Sequence, residues 1–138
     1  MKNYFTIAEL SRSATAVAKG IRNVPPTVKE MDALMTLITE CLNPIRERYG
    51  HPIIVSSGYR CEALNRAVGG QASSQHIKGE AADLQGATDD ETARIFECAR
   101  DLGVYDQLLF EHSKGKRWVH ISHKKSGDRH IINGNYEV

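Results

Sequence analysis

The chain has 138 residues, 41% hydrophobic and 25% charged, which fits one compact domain over residues 1–138 with core enough to fold without disulfide or metal staples. Eighteen basic and seventeen acidic side chains leave a net charge of +1, so nothing global asks for a nucleic-acid or membrane partner. Cys41, Cys61 and Cys98 are widely spaced and form no Cys-x-x-Cys pair, which reads as reduced thiols rather than a disulfide framework.

The first six residues carry no apolar signal run, and no stretch approaches the roughly 20 apolar residues of a membrane helix. The expectation is synthesis in the cytoplasm without a signal peptide. Thr6-Ile7-Ala8-Glu9 is a capping box opening a short helix expected to run to about Ser13. Ala14 to Lys19 is a further turn or two, stopped by Gly20. Asn23-Val24-Pro25-Pro26 breaks the chain.

A second capping box, Thr27-Val28-Lys29-Glu30, starts the longest helical pattern. Val28, Met31, Leu34, Met35, Ile38, Leu42 and Ile45 recur at helical spacing and read as a core-facing stripe. Pro44 is expected to kink this helix or divide it after Leu42, and Gly50 suits its end. Ile53-Ile54-Val55 is a β-branched run and reads as a buried strand. A short helix is expected over 61–68, then a loop over 71–78.

Gly79 turns the chain into a strand over Ala81–Leu84. Thr88-Asp89-Asp90-Glu91 is a third capping box, with acids placed to favour the helix dipole, and Gly103 ends that helix. Asp106–Glu111 and Trp118–Ser122 read as a hairpin, and the tail from Arg129 to Val138 as an edge strand around Asn133-Gly134. Helices first, then mixed strands and helices, give an α+β fold: a small antiparallel sheet with N-terminal and flanking helices.

The stretch from Ser74 to Asp83 carries the chemistry. His76 and Asp83 stand seven positions apart across a glycine turn and two alanines, and His120 comes later in Trp118-Val119-His120. Two imidazoles and one carboxylate leave one position open on a tetrahedral zinc ion, the arrangement of a catalytic site. An apolar strand that ends in Asp83 needs a partner for that charge, and a metal is one. His51, His123 and His130 read as surface or hydrogen-bonded histidines.

Ser-x-His-x-x-Gly-x-Ala-x-Asp followed by Trp-x-His resembles the zinc D-Ala-D-Ala carboxypeptidases and related peptidoglycan peptidases, a group that includes phage and bacterial cell-wall hydrolases. The runs Ile53–Arg60, Leu64–Gly70 and Tyr4–Leu10 resemble the same family, so the likeness covers Tyr4 to about Ser122. It implies a Hedgehog/DD-peptidase-like fold, Zn2+ on His76, Asp83 and His120, and a peptidoglycan stem peptide as substrate. It implies that Arg60 holds a substrate carboxylate and that Ser74 contacts substrate, although Ser74 reads equally well as a hydroxyl capping its own loop. A wall-directed enzyme lacking a signal would have to be delivered, as in phage lysis or as a virion-associated component. No nucleic acid, membrane or second copy of the chain is expected as partner.

Some family members carry an acid three residues before the last zinc histidine; here that residue is Arg117. The general base must therefore be sought elsewhere. Glu80 is disfavoured, because an extended strand sends Glu80 and Asp83 to opposite faces. A hairpin turn centred on Ser113–Lys116 sets Glu111 opposite Trp118 and one diagonal step, roughly 7 Å at Cβ, from His120. A slip of one residue gives that place to His112. Glu111 is the preferred base, since a carboxylate is usual in zinc peptidases. A non-catalytic zinc-binding interaction module on the same scaffold is the alternative; what separates the two is an acid or imidazole near the open metal position, with Arg60 facing it.

Overall fold

The computed structural model describes residues 2–138. Two short helices, α1 (Ile7–Leu10) and α2 (Ala14–Lys19), come first. Thr6 and Ser13 cap them through their hydroxyls, and Gly20 closes α2 in the left-handed conformation. The long helix follows as α3 (Val28–Thr36), a π-helical stretch (Leu37–Leu42) and α4 (Asn43–Tyr49). The remaining helices are α5 (Glu62–Ala67) and α6 (Asp89–Leu102). The capping box ahead of α3 closes in both directions. Ahead of α6 the Thr88 hydroxyl accepts the Glu91 N–H as expected, but the Glu91 carboxylate reaches the Ala87 N–H, one residue before the cap.

The helix changes type after Leu42, as expected, with Pro44 in the first turn of α4, but the helical chain is continuous through it. A proline ring inside an α-helix collides with the carbonyl four residues back and removes one hydrogen bond. The π-helical turns just before Pro44 widen the ladder there, so the helix runs on to Tyr49. Leu34, Leu37, Ile38, Cys41, Leu42 and Ile45 are buried, whereas Val28 is 73% exposed and Met31 and Met35 are more than a third exposed. The core stripe expected from Val28 onward therefore begins only at Leu34.

Among the described residues, five strands form one sheet: β1 (Ile54–Ser57), β2 (Ala81–Gln85), β3 (Gln107–Ser113), β4 (Lys116–Ser122) and β5 (Ile131–Glu137). Their order across the sheet is β1-β2-β4-β3-β5. The first four pair antiparallel, but β5 lies parallel to β3. The sheet is thus mixed, because the chain leaving β4 crosses to the far side of β3 before it extends. β1 is an edge strand and not the buried one expected: among the described residues no strand pairs with its outer side, and Ile54 is 52% exposed.

Strand alternation sorts the sheet into two faces. Ala82 and Leu84 of β2, Leu108 and Phe110 of β3, and Val119 and Ile121 of β4 join Ile95, Phe96 and Ala99 of α6 in the core. Burying each large aliphatic side chain contributes about 1.5–3 kcal/mol. Asp83, His120, Trp118 and Glu111 fall on the opposite face of the same strands. One face therefore holds the helix layer and the other is free for chemistry.

Candidate metal centre and cleft

Asp83 and His120 are direct cross-strand partners on β2 and β4. His120 Nδ1 lies 3.1 Å from Asp83 Oδ1. The third member, His76, comes from the loop ahead of β2, with Nε2 at 3.4 Å from the same oxygen. One ligand atom from each residue lies within 4.8 Å of the other two, and His76 and Asp83 are buried. His76 donates from Nδ1 to the Gly58 carbonyl at 2.7 Å. That bond fixes the tautomer and turns the lone pair of Nε2 towards Asp83.

Two glycines seat this loop. At Gly58 a Cβ would come 2.2 Å from the Leu10 carbonyl oxygen, so only glycine lets β1's exit pass close enough for Tyr59 N–H to reach that oxygen. Gly79 has φ of +74° and a Cβ there would meet the Glu30 carbonyl at 2.7 Å, so the turn after His76 packs directly on α3.

Burial works against the charge of Asp83, but the adjacent His76 and His120 outweigh it and hold the carboxyl well below its usual range. For His120, burial disfavours the imidazolium, yet the Asp83 hydrogen bond and charge, with Glu111 behind, raise its pKa. Two imidazoles converging on a buried carboxylate are a donor set that suits a metal ion.

Glu111 pairs across the hairpin with Trp118, the register that the sequence favours. Lys114 and Gly115 form a two-residue turn with φ of 51° and 81°, the primed geometry that matches strand twist. Glu111 Oε1 sits 3.9 Å from His120 Nδ1 and accepts a 2.8 Å hydrogen bond from Trp118 Nε1. Burial raises its pKa, with the nearby Asp83 charge adding and His120 opposing. His112 stands opposite Arg117 with the other alternation, on the helix face. Glu80 lies in a separate hollow with Asp32 and His123, and its Oε1 is buried without a hydrogen-bond partner.

The chain matches the Peptidase M15 family over residues 3–122. It belongs to that family. This M15 chain is also 35% identical over 105 residues to the zinc D-Ala-D-Ala carboxypeptidase of Streptomyces albus G, which covers 75% of this chain and 39% of that protein. It thus spans well under half the length of that curated relative.

Arg60 reaches the group from the β1 side: Nη2 is 3.6 Å from Asp83 Oδ2, Nε donates to Ser57 Oγ at 3.1 Å, and Nη1 donates to Asn65 Oδ1 at 3.2 Å. Ser74 accepts the His76 backbone N–H at 3.2 Å and also lines the cleft, so it caps its loop and faces the open site together. That cleft, about 570 Å³, runs from Glu111 and His120 to Arg129 and Tyr136. A hollow of equal volume over Tyr49, His51 and Arg94 lies away from the metal-ligating group, so convergent polar chemistry and not size marks the site.

The sequence reading did not single out three supports of this site. Gly58 acts through its carbonyl, and backbone groups carry no residue-type signal. Trp118 acts through its indole N–H, which aims Glu111, and a tryptophan in a strand carries no sequence signal for that bond. Asp106 is fully buried and takes hydrogen bonds from Gln75 Nε2 and from Arg129, tying the His76 loop to the C-terminal segment. An acid opening a strand after an apolar tyrosine was the one available hint. His123, by contrast, is the hydrogen-bonded histidine expected, held between Glu40 and Asp128.

Proposed function

We propose that residues 1–138 act as one zinc peptidase domain that hydrolyses a peptide bond in peptidoglycan stem peptides, as a D-Ala-D-Ala carboxypeptidase-like enzyme or an endopeptidase. The observation carrying this reading is the convergence of His76, Asp83 and His120 with Glu111 placed 3.9 Å from His120. The imidazole–carboxylate set suits zinc, which when bound supplies a water of lowered pKa and polarises the scissile carbonyl. His76 Nε2, His120 Nδ1 and an Asp83 oxygen would hold it.

Glu111 takes the proton of the attacking water and passes it to the leaving amine. Trp118 keeps one carboxylate oxygen aimed while the other stays free to accept. Arg60, braced by Ser57 and Asn65, offers a planar donor to a substrate carboxylate on the β1 side. Ser74 contributes a hydroxyl to the cleft wall. Glu111 and Arg60 on either side of the metal-ligating group favour catalysis over a purely zinc-binding interaction module. No helix among the described residues is long and apolar enough to cross a membrane; access to the wall through phage lysis or a virion remains part of the proposal.

The test is to incubate the zinc-loaded protein with purified peptidoglycan and weigh the released fragments by mass spectrometry. Free D-alanine indicates carboxypeptidase action, larger peptides indicate endopeptidase action, and no release removes the reading. His120→Ala should lose tightly bound zinc; unchanged metal content in that variant would remove the ligand assignment.

A further inference from the structure

The M15 match stops at residue 122, yet the cleft does not. Lys124, Arg129, Ile131 and Tyr136 form its far wall, facing Lys78 on the His76 loop. Three of the residues lining it are cations, Lys78, Lys124 and Arg129, against one carboxylate, Glu111, which stands at the metal end. Glu80 is near enough to feel both lysines, but it sits in the adjoining hollow, where Oε1 takes no hydrogen bond from either.

Arg129 is not a loose surface charge. Its backbone N–H and Nε bond Asp106 Oδ1 at 2.7 and 3.1 Å, and Nη2 bonds Oδ2 at 2.8 Å. Asp106 is fully buried and also accepts from Gln75 Nε2 at 2.9 Å, while its carbonyl accepts Ile131 N–H at 2.8 Å. The wall is therefore bolted to the loop that carries His76. Arg129 stays half exposed, its position set before any ligand arrives.

The order of the sheet fixes where this wall lies. Arg60 follows β1 at one edge, the metal-ligating pair stands on β2 and β4, and β5 is the other edge. Cationic groups thus flank the metal-ligating group on both sides. Resting on the peptidase reading above, we infer that the basic end of the cleft, built with the segment 123–138, is a subsite for a second carboxylate of the substrate, on the side of the scissile bond away from Arg60. The substrate class is a peptide with a free side-chain carboxylate. Lys78 and Lys124 supply mobile ammonium groups, Arg129 a fixed guanidinium, and Tyr136 and Ile131 an apolar floor for the intervening carbon chain.

Two end-blocked peptides, identical but for glutamate in one and glutamine in the other, test this. With no terminal carboxylate, neither can use Arg60 as such an end would. Each is titrated into the zinc-loaded protein at low salt and followed by amide chemical shifts. The glutamate peptide should bind roughly tenfold more tightly, as one charge-assisted contact allows, with shifts centred on Lys78, Lys124 and Tyr136. Salt should erase the difference. The double variant Lys78→Gln, Lys124→Gln should bring the glutamate peptide down to the level of the glutamine one, with zinc content and thermal midpoint kept. Equal binding of the two peptides by the parent, no binding of either, or equal weakening of both in the double variant overturns the subsite. Fragment release from peptidoglycan is read separately. A glutamate preference without hydrolysis would keep the subsite and sink the peptidase reading, and hydrolysis without the preference would do the reverse.

Discussion

The two imidazoles of the candidate metal centre are mounted in different ways. His120 stands on β4 between β2 and β3, where ladder register alone decides which face it meets. His76 stands on a loop and is held by single contacts: the Gly58 carbonyl, the Ser74 hydroxyl, the Gly79 turn on α3, and the Asp106 anchor one residue away at Gln75. A strand-mounted residue is fixed by many weak, shared constraints. A loop-mounted one depends on a few, each of which can be removed separately.

The comparison breaks most sharply at Glu111, whose place rests on the same hairpin register as that of His120. Glu111→Gln keeps the shape and the Trp118 contact but cannot take a proton. Hydrolysis should fall about a hundred- to ten-thousand-fold with zinc content unchanged. His112→Ala, on the other face, should change it little. A fully active Glu111→Gln would show that register does not place the base.

On the loop side, Gly58→Ala puts a methyl where the Leu10 carbonyl already stands. Backbone must shift, which costs on the order of 2 kcal/mol. Denaturant midpoints should record that loss, and zinc affinity should fall with it, because the Gly58 carbonyl orients His76. Stability lost with zinc affinity intact would separate the loop's packing from its hold on the imidazole.

Arg60→Lys preserves charge and loses the planar fork held by Ser57 and Asn65. Peptides ending in a carboxylate should be used about tenfold less well, an effect of roughly 1.4 kcal/mol, while end-blocked peptides are unaffected. Kinetics on the matched pair reads this directly, and equal loss on both peptides would leave Arg60 a merely structural brace.

The smallest effect lies outside the site. Burial disfavours the His123 imidazolium, but bonds to Glu40 and Asp128 raise its pKa. Its contribution is therefore complete below about pH 6.5, the ordinary imidazole value, and is lost as the pH climbs through the raised folded value. With Glu40 half exposed, roughly 1 kcal/mol is at stake. Urea titrations of the parent and His123→Gln should show a stability gap near pH 6 that narrows by pH 9.

The same division explains what the sequence made legible. Capping boxes, glycine stops and hairpin parity are local, so α1, α3, α6 and the Glu111–Trp118 pairing could be read directly. Ile54 was misplaced because a β-branched run fits an edge as well as a centre, and only the partner strands decide. Met31 and Met35 recur at helical spacing but stand on the flank of the face defined by Leu34, Leu37, Ile38 and Cys41, and spacing alone does not separate a flank from a centre. The parallel docking of β5 depends on a crossover that no local pattern encodes. His76, Asp83 and His120 were visible through their motif, whereas Asp106 and the Gly58 carbonyl act through contacts between distant segments.

The pairing of β1 with β2 loses step between Val55 and Ser57, and that of β5 with β3 between Leu109 and Glu111. A neighbouring molecule adding to either margin needs an even row of open amides and carbonyls, and a ladder thrown out of step bends that row. Ile54, Ile131 and Ile132, all exposed at these margins, would otherwise be seeds for fibrous aggregation. The irregularities in the two outer ladders thus work against strand addition at the two open margins of the sheet.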